Sequence, residues 1–318
     1  MTRRILVTGV GGAPGFDLAR TLTQLGCEVI GADCDPLACG LALEGVKPRT
    51  LPPADHSEYG ARLLHLCRTL RPTGLLSTVE AELPALIALR GPLEVLGVRT
   101  WLPELRAVQA CADKARFHEV MTRCAIPTPR SAGPAGIDGL PDGLLVVKPR
   151  RGQGAKDVHV CRTRQQARVL CELVPHPIVQ EHLTGREFTA DCLIDRSGRA
   201  SVILRWRLVV KAGLSMVSAT FHSRPVADLV KQALAAVGMS GVCCVQGFVS
   251  GDAVNLTEIN ARIAGAFLCA EAAGAHLVEQ SVNGLYGLPV DHDRLTYESG
   301  VYLTKYFETL SLENRGIQ

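Results

Sequence analysis

Glu258, Asn260 and Gln246 are the residues whose types and spacing most directly suggest chemistry. They fall in GVCCVQGFVSGDAVNLTEINAR, where two apolar runs flank the turn Ser250-Gly251-Asp252 and read as a β-hairpin. Side chains alternate faces along a strand, so Glu258 and Asn260 point the same way, and Gln246 on the partner strand joins them if the register allows. Three oxygen-bearing side chains with no Cys or His among them suit a hard cation, Mg²⁺ or Mn²⁺, that keeps several waters and takes further oxygens from nucleotide phosphates. A wet strand face is the commoner reason for an isolated E-x-N, so the surrounding motifs decide.

Lys148 lies inside the apolar strand LLVVKP, where an ammonium is costly unless it meets an anion or water, which makes it a candidate phosphate ligand. Gly152 and Gly154 follow in a loop whose backbone N–H groups can close over phosphates, although G-x-x-x-x-G-K-[ST] is absent. Arg150 and Arg151 read as loop charges. In SVILRWRLVVKAG, Arg205, Arg207 and Lys211 share strand parity and so one face, as anion ligands or as a solvated surface. Asp113 is the expected N-cap of the helix over DKARFHEVMTR, and His182 reads as hinge surface.

The elements that must carry these residues begin with ILVTG, a glycine turn, a helix and a second strand ending at Asp33, the opening of a parallel βαβ unit. Gly9, Gly12 and Gly15 fit G-x-x-G-x-x-G, which with Asp33 leaves an NAD-binding oxidoreductase or nucleotide-sensing protein as an alternative. Close packing needs glycines there too, and no tyrosine is followed four positions on by the lysine of a Y-x-x-x-K pair. Glu80 and Glu82 follow the end of a parallel strand and open a helix, where they read as complements to its dipole, with a substrate contact as the alternative.

With 318 residues, 47% hydrophobic and 20% charged, the chain has room for two or three substructures with their own cores. Its 34 basic and 31 acidic residues are too balanced for a nucleic-acid surface. No uninterrupted apolar run approaches the roughly 20 residues of a membrane span. The twelve scattered cysteines read as reduced thiols, so a cytoplasmic location is expected.

The order of these motifs resembles the ATP-grasp enzymes, particularly the carbamoyl phosphate synthetase large-subunit type. There V-Q precedes E-x-N-P-R, matched by Val245-Gln246 and by Glu258-Ile259-Asn260-Ala261-Arg262, with Ala261 replacing a proline that only stiffens the backbone. The resemblance implies an α/β and α+β chain with the ATP-grasp fold and an N-terminal Rossmann-like (pre-ATP-grasp) domain. Its parts would be residues 1–105, a linker helix and small lid over 106–183, and a large domain over 184–318. It gives Lys114 and Lys148 the ATP phosphates, Gln180, Glu181 and Leu183 the adenine, and Glu187 the ribose. Gln246, Glu258 and Asn260 would hold Mg²⁺ or Mn²⁺, while Arg205, Arg207, Lys211 and Arg262 would meet the substrate or acyl phosphate. The implied activity joins a small-molecule carboxylate to an amine with release of ADP and phosphate, a homodimer being an open option. A catalytically inactive ATP-grasp scaffold is the other rival.

Overall fold

The computed structural model describes residues 3–152, 154 and 156–310. Gln153 and Ala155, part of the glycine loop read as phosphate-binding, lie outside the described residues. The chain opens with β1 (Arg4–Thr8), the helix Ala13–Gln24, β2 (Glu28–Asp33), β3 (Val46–Thr50) and β4 (Gly74–Ser77). These strands are parallel in the order β3-β2-β1-β4. β1 is apolar on both faces because both are covered: Ile5 and Val7 enter one core, Leu6 another.

The glycines of the first turn have separable reasons. Gly9 sits at φ +76°, and a Cβ on Gly15 would lie 2.1 Å from the Gly9 carbonyl oxygen. The helix can therefore rest on the turn only with glycine at position 15. A Cβ on Gly12 would meet nothing closer than 3.6 Å, an ordinary contact, so packing does not demand that glycine.

A second sheet contains β5 (Ser131–Ala132), β6 (Leu145–Pro149), β7 (His159–Cys161) and β8 (Pro177–Glu181) in the antiparallel order β5-β8-β6-β7. The helix Arg164–Leu173 covers it, and Val147, Cys161, Ala167 and Val179 belong to a small core of its own. The third sheet contains β9 (Arg186–Ile194), β10 (Ala200–Lys211), β11 (Leu214–Thr220), β12 (Gly241–Ser250), β13 (Ala253–Asn260) and β14 (Tyr302–Thr304). Its order is β13-β12-β9-β10-β11-β14, antiparallel throughout.

Strand alternation divides this third sheet between two tasks. Phe188, Ala190, Cys192 and Ile194 of β9 join Cys243 and Val245 of β12 in a core with the helices Lys114–Arg123 and Arg224–Val237. On the opposite face, Leu193 and Ile203 share a core with Ile5 and Val7 of the N-terminal unit. Farther along that same face, Glu187 and Thr189 line an open cleft. Among the described residues, no helix is long and apolar enough to cross a membrane.

Gly15→Ala should destabilise the chain by about 1–3 kcal/mol, the usual cost of overpacking, because the clash is with backbone. Gly12→Ala should stay within about 0.5 kcal/mol of the parent. Urea denaturation at equilibrium measures both, and equal losses would contradict this account of the turn.

Candidate active site

The cleft between the three sheets encloses roughly 820 Å³. Its floor is the polar face of the six-stranded sheet. Glu258 of β13 pairs with Gln246 of β12, Gln246 with Thr189 of β9, and Thr189 with Arg205 of β10. Partners opposite each other in an antiparallel sheet project to the same side, so these four side chains form one row. Asn260, Cys244 and Asp191 form the next row by the same register.

The convergence expected of Gln246, Glu258 and Asn260 is present. Asn260 Nδ2 donates to Glu258 Oε1 at 3.0 Å, and Arg262 donates to Asn260 Oδ1 at 3.4 Å. Burial works against the Glu258 carboxylate, but Lys114, Lys148, Asn260 and Arg262 together hold its pKa below the ordinary value. Glu258 thus stays ionised beside two lysines. Glu80 approaches from the N-terminal unit and accepts the Ala261 N–H at 3.3 Å. Among the described residues, no group of three or more His, Cys, Asp or Glu side chains can hold a metal. One ionised carboxylate with two amide side chains is a weak cage alone and a fitting one for Mg²⁺ that brings water and phosphate oxygens with it.

The nucleotide-side residues meet across the cleft. Lys114 Nζ donates to the Gly152 carbonyl at 3.0 Å, and Lys114, Lys148, Gly152 and Gly154 all line the cavity. Desolvation pushes the Lys148 ammonium down to about 8, with Lys114 adding to the shift and Glu258 opposing it. Val146, Val158, Val160, Leu183 and Phe248 make an apolar slot between the small sheet and the large one. Such a slot suits a flat heteroaromatic ring. Gln180 and Glu181 stand at its edge with their side chains engaged: Gln180 Nε2 donates to Ser131 Oγ at 2.7 Å, and Glu181 Oε1 accepts the Arg130 N–H at 2.8 Å. Glu187 lies 3.2 Å from Arg207 Nε at the floor of the cleft.

Several positions differ from the sequence reading. Lys211 does not share the face of Arg205 and Arg207: β-bulges between Arg207 and Val210 reverse the alternation, so Val210 lines the cleft and Lys211 is exposed. Arg150 is no mere loop charge. Its guanidinium grips the buried Asp113 carboxylate in a fork at 3.1 and 2.8 Å, while Asp113 caps the helix carrying Lys114. Burial of Asp113 is outweighed by Arg150 and two backbone N–H groups, and its pKa falls. His182 belongs to the cleft wall, with a buried Nδ1 that lacks a partner. Glu82 is buried and accepts from Thr8 and Ser77, tying β1 to β4 rather than facing a helix dipole. Asp33 lines the far end of the cleft, where its carboxylate accepts the N–H groups of Gly11 at 2.7 Å and Asp35 at 3.0 Å.

Arg205 is the least accessible cation. Its side chain is 2% exposed and bound to Asp191, 1% exposed, at 2.7 and 3.4 Å, with Ser218 Oγ at 3.4 Å. Asp191 escaped the sequence reading because nothing local distinguishes it from any strand aspartate. The alternation that selects Glu187 selects it too, four positions on.

Comparison with known proteins agrees with this geometry. A family model described as an ATP-grasp domain matches residues 111–266. A curated relative, the carbamoyl phosphate synthase large chain of Methanothrix thermoacetophila, is 23% identical over 252 residues, covering 70% of this chain and 24% of its own length. The chain thus spans about a quarter of the curated relative it matches. Among solved structures, a biotin carboxylase–βγ-ATP complex from Campylobacter jejuni superposes with a TM-score of 0.74 at 13% identity, over 92% of this chain and 72% of that one. An L-amino acid ligase from Bacillus licheniformis gives a TM-score of 0.69 at 18% identity, over 89% and 74%. The motif order, the three-sheet cleft and these matches together identify an ATP-grasp domain over residues 111–266 of this chain.

Proposed function

We propose that the chain is an ATP-dependent, ADP-forming ligase that joins a small-molecule carboxylate to an amine. The observation that carries this reading is Glu258, kept ionised among Lys114, Lys148 and Arg262 on the cleft floor. That arrangement suits Mg²⁺ and a polyphosphate together. Relatives in the fold add support: the Campylobacter enzyme was solved with βγ-ATP, and the Bacillus enzyme is a ligase of amino acids. An amino acid or peptide-like acid is accordingly the leading acid class.

In this reading the apolar slot holds adenine beside Gln180, Glu181 and Leu183, and Glu187 takes the ribose. Lys114, Lys148 and the N–H groups of Gly152 and Gly154 hold the phosphates. Gln246, Glu258 and Asn260 would hold Mg²⁺, whose part is to neutralise charge on the phosphate oxygens. Arg207 and Arg262 orient the acid so that its carboxylate oxygen attacks the γ-phosphorus as the bond to the bridging oxygen breaks, giving ADP and an acyl phosphate. The amine then displaces phosphate at the acyl carbon and forms the amide. The residues supply position and charge, with no side-chain nucleophile.

Turnover with a panel of acids should give ADP and phosphate, and hydroxylamine as surrogate amine should trap a hydroxamate. Stoichiometric AMP would overturn the mechanism. Glu258→Gln should lower kcat on the order of 100-fold while nucleotide affinity changes little, since the lost charge matters most as transfer proceeds.

The depressed Lys148 pKa gives a second check. An amine whose pKa is about 8 is half deprotonated at that pH, whereas an ordinary lysine needs about pH 10.4. Labelling of Lys148 by an amine-directed reagent in the metal-free protein, followed by peptide mass spectrometry, should rise with a midpoint near pH 8. Mg-ADP should protect it. The same shift makes stability rise with pH between about 8 and 10.4, where the unfolded lysine holds a proton that the folded one has released. A labelling midpoint near 10, or no protection, would remove Lys148 from the phosphate site.

A further inference from the structure

Thr189 is 1% exposed, and its hydroxyl has no hydrogen-bond partner although it lines the cleft. Buried hydroxyls are rarely left this way, because each costs the desolvation of a polar group. Its neighbours across the sheet are Gln246 on one side and Arg205 on the other. Arg205 is held by Asp191 through Nε and Nη2 and by Ser218 through Nη1, which leaves N–H groups uncommitted by these bonds. The orphan hydroxyl therefore lies between the expected edge of the metal site and a fixed guanidinium, in the floor under the reaction centre.

We propose that Thr189 is a further ligand-binding residue, whose hydroxyl donates to an oxyanion seated between Gln246 and Arg205. Asp191 acts as the positioning residue that keeps the guanidinium aimed there. The inference rests on the ATP-grasp reading of the cleft and adds a subsite to it. An anionic oxygen satisfies the hydroxyl as an acceptor while drawing on the positive charge beside it, which a neutral ligand atom does less well. Two oxyanions fit this chemistry: the phosphoryl group in transfer and the carboxylate of the acid substrate.

The test uses the intact chain and the variants Thr189→Val and Thr189→Ser. Valine keeps the shape and removes the hydroxyl, so Thr189→Val should melt no lower than the parent, an unsatisfied polar group having been removed. Calorimetry should find Mg-ADP binding equally in all three proteins. Inorganic phosphate or acetate is then titrated into each Mg-ADP complex. Thr189→Val should weaken one of the two by about tenfold or more, as expected for a hydrogen bond to a charged group, and Thr189→Ser should restore it. Loss confined to phosphate assigns the subsite to the phosphoryl group, and loss confined to acetate assigns it to the substrate carboxylate. If the parent complex takes neither anion, or Thr189→Val binds both like the parent, the subsite is wrong while the nucleotide reading stands. Failure of the parent to bind Mg-ADP would sink the nucleotide reading and the subsite with it.

Discussion

The buried Arg205–Asp191 pair fixes how the six-stranded sheet meets the rest of the molecule. Both side chains lie on the face that turns from packing to cleft: Ile203, the residue opposite Asp191, is already in the core shared with the N-terminal unit, while Arg205 lines the cavity. A one-residue slip of β9 against β10 would turn Asp191 into the apolar face covered by helices and leave Arg205 without its partner. Removing one partner strands the other, at about 3–5 kcal/mol. An apolar pair of equal volume serves stability at least as well. Stability alone therefore does not explain the pair, whereas a guanidinium held rigidly at the cleft floor does.

From that constraint follows the arrangement of everything around the cleft. The apolar face needs the helices Lys114–Arg123 and Arg224–Val237, and the first of these begins at Asp113 with Lys114 at its entrance. Arg150, at the end of β6, then clamps Asp113, and the Lys114 backbone N–H donates to the Arg150 carbonyl at 3.0 Å. The small sheet is thereby tied to the helix that brings Lys114 to the cavity. At the other end, the turn between β10 and β11 meets the glycine loop so closely that a Cβ on Gly213 would lie 2.6 Å from the Gly154 carbonyl carbon. Arg207 donates to the Gly213 carbonyl at 2.9 Å and braces that turn from below.

The sequence disclosed the parts of this site that depend on local rules. Glu258 and Asn260 sit two apart in an unbulged stretch, so alternation alone puts them together, and the hairpin supplies Gln246 opposite Glu258. The same rule failed at Lys211 because bulges depend on how two strands twist against each other, which spacing in one strand does not record. Arg150 was opaque for a different reason: its partner is 37 residues away, and only the packed fold joins them. Thr189 carries no mark in the sequence at all. A threonine in a strand is commonplace, and its interest lies in the bond it does not make. The ATP-grasp fold was legible through the order of motifs, each of them weak by itself.

The electrostatics of the cleft lead from this architecture to binding. Arg150, Arg205 and Arg207 each have a carboxylate partner within the protein. Lys114 leans on a carbonyl oxygen, and Lys148 is depressed by desolvation with Lys114 adding to it, Glu258 offering the opposing charge. These ion pairs hold the shape of the cleft, and the lysines are left short of anions. A polyphosphate entering between them supplies the missing charge and makes Lys148 hold its proton more tightly, so part of its affinity comes from relieving a cost the fold already bears. Glu258 limits that cost without cancelling it, and so the carboxylate suited to the metal also keeps the empty cleft tolerable.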